Sequence, residues 1–207
     1  MAGSLIQAWL VTTNLITSVA WGRVLLIILQ NGWEALADKG SDACMALLTP
    51  ALKTALFISF LELFNCVIGL TRSPVPAVLL FSCTRMGVEL LTAPLIPCGC
   101  WQHLLTVAVW SFGDLIRFGC FTVDSAIPGV RLVKSIRFTV GPILFPIGAL
   151  GGEMMMVIRA GSDNSRPLLY GAAALWPVFF YPMMQQLLKQ REKHFQRKDK
   201  KMEIKSV

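Results

Sequence analysis

The chain has 207 residues, 55% of them hydrophobic and 15% charged, with a formal net charge of +7 and a mean hydropathy of +0.61. A soluble domain is nearer one-quarter charged, so this composition excludes an ordinary water-soluble fold and indicates a single integral membrane bundle. The positive excess gathers in Lys189–Val207, which holds eight of the nineteen Lys and Arg residues. Aromatics and bases do not interleave as in a nucleic-acid groove, so nucleic acid is excluded as a partner and an anionic membrane surface is expected instead.

The first apolar stretch, Leu5–Leu29, is too long for a signal peptide and lacks its basic start and small-residue cleavage site. Ala51–Leu70, Val75–Ile96, Leu104–Val123, Val140–Ile158 and Leu168–Leu188 follow, each near the roughly 20 residues that cross a hydrocarbon core. Backbone groups in lipid must be satisfied within the segment, and none of these stretches alternates with period two, so all six are expected to be helices. Pro and Gly punctuate the connections at Arg72-Ser73-Pro74, Pro97-Cys98-Gly99, Pro128-Gly129 and Ser165-Arg166-Pro167. With no internal repeat, the expected organisation is a six-helix transmembrane domain over residues 1–188 and a basic tail over 189–207. Six spans place both termini on one side. That side carries Arg72, Arg131, Lys134, Arg137 and the tail bases, against Lys39, Arg159 and Arg166 opposite. The positive-inside bias therefore puts both termini in the cytosol, or in the matrix of an organelle.

Ionisable groups at membrane depth cost about 2.5–3.5 kcal/mol each on insertion scales, so they are expected to face the bundle interior. They are Glu62 with Asn65 three residues on, Arg85 with Glu89 at i,i+4, Asp114 with Arg117 at i,i+3, and Glu153. The pairs either neutralise each other and lock helices together or line a polar cavity that holds a substrate head group. Glu153 has no basic neighbour on its own inner face, and Glu62 is likewise unpaired locally. A carboxyl in an apolar site is able to act as acid or base near neutral pH. Met154, Met155, Met156, Met183 and Met184 read as packing fillers.

Of the six cysteines, Cys66, Cys83 and Cys120 fall in or beside apolar segments and act as small hydrophobes. Cys98-Gly-Cys100 with His103 is the one cluster that suggests a metal. A single Cys-x-Cys lacks the four ligands zinc usually takes, so neither a metal nor any other cofactor is expected.

Several stretches, in order along nearly the whole chain, together resemble the 3-hydroxyacyl-CoA dehydratase family, also called the protein-tyrosine-phosphatase-like, proline-containing membrane proteins. They are "LELFNCVIGLTRSPV" (Leu61 to Val75), Thr84-Arg85, "VWSFGDLIRF" (Val109 to Phe118), "IRFTVGPILFPIG" (Ile136 to Gly148) and "LLKQREK" (Leu187 to Lys193). The resemblance implies a six-helix enzyme of the endoplasmic reticulum that removes water from 3-hydroxyacyl-CoA during very-long-chain fatty-acid elongation. It also implies a Tyr and a Glu seven residues apart on one helix, which share the removal of the C2 proton and the protonation of the departing hydroxyl.

At the position matching that Tyr this chain has Phe145, and the matching Glu is Glu153, eight residues on rather than seven. At about 100° per residue the extra residue turns Glu153 roughly a quarter turn from the Phe145 face, unless a bulge at Gly151-Gly152 restores the register. Phe118 and Phe138 also stand where the family has Tyr, Asp114 where it has Glu, and Asn65 where it has His. Only Tyr170 and Tyr181 remain, of which Tyr181 is the candidate to approach the cavity from another helix. The expectation is a catalytically degenerate relative, serving as a lipid-binding protein or a subunit of a membrane assembly with acyl-CoA as its small-molecule partner. The alternative is an active dehydratase using Glu153 with Tyr181 or Glu62. Self-paired charges and the missing repeat argue against a transporter. The ending "EIKSV" has no dilysine or Lys-Asp-Glu-Leu signal, which leaves a mitochondrial inner membrane beside the reticulum as a location.

Overall fold

The computed structural model describes residues 2–32, 36, 44–71, 73–127 and 130–203, and among them every regular element is helical. Helix α1 spans Ala2–Asn31. A π turn, Cys44–Leu48, leads into α2, Thr49–Val67. Helix α3, Val75–Gly87, runs on into a π turn at Val88–Thr92 and a 3-10 turn at Ala93–Leu95. Helix α4 is Trp101–Ala126. Helix α5, Arg131–Pro146, passes through a π segment, Ile147–Met154, into α6, Met155–Asp163. Helix α7 is Pro167–Glu203.

Six described stretches are long and apolar enough to cross a membrane: Ser4–Asn31, Cys44–Val67, Val75–Leu95, Trp101–Ala126, Leu132–Asp163 and Pro167–Glu192. Each overlaps one stretch read from the sequence, and the protein is an all-α integral membrane protein. The fifth span begins earlier than the expected Val140. Its first turns keep their charges because α4 satisfies them: Lys134 Nζ lies 3.1 Å from Asp124 Oδ1, and the Arg137 guanidinium lies 4.1 Å from the Phe121 ring centroid. The helical backbone of α7 also continues past Leu188 into the basic tail. Lys39, Arg72 and the Pro128-Gly129 turn lie outside the described residues.

Helix α4 is the hub. Helix α1 lies along most of it, and α5 and the π segment pack on it from the other side, while α2 joins α1 to α3. The shared core holds Trp21, Val24, Leu52, Leu104, Val107, Trp110, Phe118 and Met156. Large apolar side chains such as Phe57, Leu132, Leu168 and Val178 point outward, as lipid requires. Polar side chains tie the helices from within. Trp9 Nε1 donates to Asn65 Oδ1 (2.8 Å), Asn65 Nδ2 to Thr13 Oγ1 (3.2 Å), Trp21 Nε1 to Ser59 Oγ (2.9 Å) and Ser18 Oγ to the Leu115 carbonyl (3.3 Å). Such bonds replace the hydrophobic driving force that is missing between helices in a bilayer.

A disulfide joins Cys44 to Cys98 across 54 residues. A loop of that length contributes about 4 kcal/mol in the chain-entropy account. The sequence had set Cys98 beside Cys100; its bonded partner is the distant Cys44.

Helix α2 ends in a Schellman turn. The Gly69 amide donates to Cys66 O (3.1 Å) and the Leu70 amide to Asn65 O (2.9 Å), with Gly69 at φ +76°. Gly69→Ala is therefore expected to lower stability in detergent by about 1 kcal/mol, since Ala tolerates that φ poorly. Gly171→Ala, in mid-helix with nothing within 4 Å of the added Cβ, is expected to be neutral or stabilising. Thermal unfolding of the two variants side by side checks the pair.

Candidate functional site

Four charges brought together by three helices form the centre of the bundle. Asp114, on α4 and 2% exposed, accepts from Arg85 of α3 through Oδ2 and from Arg117 Nε through Oδ1 (3.0 Å). Arg117 Nη2 then reaches Glu62 Oε2 of α2 at 2.9 Å. The order is Arg85–Asp114–Arg117–Glu62, alternating in sign and neutral in sum. Aromatic faces shield the cations: the Arg85 guanidinium lies 4.0 Å from the Phe81 centroid and 5.2 Å from Trp110, and that of Arg117 lies 4.4 Å from Phe118. The expected Asp114–Arg117 pair forms. The expected Arg85–Glu89 pair does not, because the backbone enters its π turn at Val88 and Asp114 offers Arg85 a buried acceptor across the bundle. Glu89 turns instead toward His103, with Oε2 3.5 Å from Nε2.

Against this network lies a cavity of about 240 Å³, whose walls include Arg85, Trp110, Asp114, Phe145 and Glu153. A second cavity of about 310 Å³ shares Glu62, Ser73, Arg137 and Gln190 with it and adds Asn14, Asn65 and Thr71. Glu153 is 8% exposed, and its Oε1 accepts a 2.7 Å hydrogen bond from Trp110 Nε1. Arg85, from across the bundle, supplies the cationic neighbour that Glu153 lacks on its own helix.

The π segment Ile147–Met154 takes up the extra residue between Phe145 and Glu153. Its i→i+5 bonding widens one turn, and both side chains line the same cavity. The glycines there allow close approach to α4. A Cβ on Gly152 would lie 2.5 Å from Thr106 Oγ1 and 3.1 Å from Thr106 Cα, and one on Gly148 would lie 3.0 Å from Val109 Cγ1. Thr106 is fully buried and its hydroxyl is held by the Gln102 carbonyl at 2.7 Å, so it has no room to withdraw.

Phe145 stacks on Phe180 of α7, with centroids 5.2 Å apart and planes 2° from parallel. Phe118 and Phe138, the other two positions where the resemblance expects Tyr, present ring faces to Arg117 and Arg137. The ring has a use there that needs no hydroxyl. Tyr181 is 65% exposed, its hydroxyl accepts from Gln185 Nε2 one turn along the same helix (2.6 Å), and it lines neither described cavity. Its expected approach to the cavity is not made, because α7 turns that face outward. Trp110, Phe81 and Arg137 are the site residues that the sequence reading did not single out. An indole four residues before Asp114 on one helix face was the available signal for Trp110.

The fold and site together define a helical membrane bundle with a neutralised charge network beside a largely apolar cavity, next to a second cavity lined by more polar side chains. Residues 56–197 match the family model described as protein tyrosine phosphatase-like protein, PTPLA. The chain belongs to that family, which is the 3-hydroxyacyl-CoA dehydratase family. No curated protein and no solved structure is significantly similar to it.

Two substitutions test the geometry. Asp114→Asn removes the charge that the buried Arg85 and the half-buried Arg117 share, so a loss of about 3–5 kcal/mol is expected. Glu62→Gln, at the end of the chain of charges, is expected to cost clearly less; equal losses in thermal unfolding would deny Asp114 its central place. Gly152→Ala is expected to lower stability by about 1–3 kcal/mol through overpacking against Thr106, measured the same way.

Proposed function

We propose that this chain is a dehydratase-like membrane protein that binds an acyl chain, as acyl-CoA or as a membrane lipid, without dehydrating it, and serves as an accessory subunit of a membrane assembly. The observation that carries this reading is the cavity wall at Phe145. Dehydration of a 3-hydroxyacyl thioester needs one group to take the C2 proton and one to protonate the hydroxyl leaving C3. Glu153, held by Trp110, is placed for one of these tasks. Phe145 has no proton to give, and both tyrosines in the chain lie elsewhere. Losing a general acid costs about 10²–10⁴-fold in rate. Glu62, the other carboxylate considered as a partner, is engaged by Arg117.

Ligand binding is supported by what the cavity retains. Its apolar walls suit a hydrocarbon chain, and the adjoining vestibule offers Arg137, Gln190 and Ser73 to a polar head. The two cavities together reach the lower range of small-ligand pockets, about 300–1,000 Å³. By family membership the membrane is expected to be the endoplasmic reticulum, with a mitochondrial inner membrane as the alternative. The charge bias of the loops favours both termini in the cytosol or matrix.

One observation favours a second reading. The π segment returns Glu153 to the cavity, as a working enzyme would require, so Glu153 alone could take the C2 proton and deliver it to the departing hydroxyl. The two readings part in one experiment. The purified protein with a long-chain 3-hydroxyacyl-CoA is expected to form no enoyl product by mass spectrometry. Turnover that Glu153→Gln abolishes would establish the active-enzyme reading instead.

A further inference from the structure

Where α4 begins, away from the cavity, a second buried polar cluster has no part in that reading. His103 and Glu89 are 2% and 3% exposed. Neither ring nitrogen of His103 hydrogen-bonds to any described residue, and Glu89 Oε2 makes no such bond although it lies 3.5 Å from Nε2. The sulfurs of Cys44 and Cys98 and a His103 ring nitrogen all lie within 4.8 Å of one another. Cys44 is fully buried, Cys98 packs against the core, and the two are joined as a disulfide. A buried imidazole with no hydrogen bond to any described residue, set beside two sulfurs, points to a ligand at that place.

We propose that Cys44, Cys98 and His103 form a redox-gated zinc site, closed by the disulfide when oxidised and binding one Zn²⁺ when reduced. Two thiolates and an imidazole are a donor set zinc favours, at about 2.3 Å for sulfur and 2.0–2.1 Å for nitrogen. Donors at those distances from a common centre lie about 3.5–3.8 Å apart. The cluster reaches that spacing once the S–S bond opens and the sulfurs separate. Glu89, on the Nε2 side, would fix the imidazole tautomer and leave Nδ1 to the metal, the carboxylate–histidine–zinc arrangement. Three protein ligands leave a fourth position for water or for the Cys100 thiol, three residues before His103. Hard cations such as Ca²⁺ or Mg²⁺ prefer all-oxygen sites and do not suit this set. The chemistry balances with a thiol reductant. A dithiol gives two electrons and two protons to the S–S bond and becomes a disulfide; Zn²⁺ then displaces the two thiol protons to water.

The test uses the full chain in detergent, oxidised or reduced with a phosphine, incubated with zinc and desalted without air. Metal per chain is then read by elemental mass spectrometry. The reduced protein is expected to retain about one zinc per chain and the oxidised protein at least tenfold less. Cobalt(II) should give the intense thiolate charge-transfer band only in the reduced form. Cys98→Ser and His103→Ala should each lose the metal, while Cys120→Ser, outside the cluster, keeps it. Equal zinc in the oxidised and reduced wild type would overturn the proposal and leave the disulfide as a structural tie alone. That comparison needs no substitution, so a variant that fails to fold does not obscure it.

Discussion

Asp114 is the constraint on which the bundle depends. One carboxylate, 2% exposed, receives Arg85 from a neighbouring helix and Arg117 from its own. Each charge taken to the centre of a membrane helix costs about 2.5–3.5 kcal/mol on insertion scales. Four such charges left unmatched would rival the 5–15 kcal/mol by which whole domains are stable. Arg85, Asp114, Arg117 and Glu62 therefore have to associate as a unit, and doing so brings α2 and α3 to fixed positions against α4. The cavity is what remains beside that unit once α5 closes over it.

The second constraint is the contact between the π segment and α4. Gly148 and Gly152 have no side chains to hold the helices apart, so the segment approaches Val109 and Thr106 closely. The widened turn absorbs one residue and sends Glu153 inward to Trp110. A buried carboxylate in such a place persists because it has a donor and a cationic neighbour, not because it must react. The proposed loss of dehydration is compatible with that retained geometry: the same helical span that brings Glu153 to the cavity presents Phe145 beside it.

Much of the fold was legible in the residues. Six apolar runs of membrane length can only be helices in lipid, and the charged residues inside them had to face one another. The Asp114–Arg117 spacing named a real pair. Partners from other helices were beyond reach, because spacing along one helix says nothing about its neighbours. Arg85 looked paired with Glu89 and is bound to Asp114; Cys98, grouped by spacing with Cys100 and His103 as a weak metal cluster, is bonded to Cys44. The π turns explain the local departures, since a rule of 100° per residue fails wherever the helix widens. Family likeness directed attention to Phe145 and Glu153. Only the fold could show that Phe118 and Phe138 keep a role as ring faces for arginines, or that Tyr181 faces outward.

On the proposed reading, the cavity beside Asp114 holds an acyl chain that leaves unchanged. A photoreactive 3-hydroxyacyl-CoA, with its diazirine in the hydrocarbon chain, tests this most directly. Covalent labelling of cavity residues such as Val109, Leu144 and Met183 is expected, together with recovery of the unlabelled ligand as the intact 3-hydroxy compound. Labelling confined to the outward face of α7, at residues such as Leu175 and Val178, or recovery of the enoyl product, would contradict it.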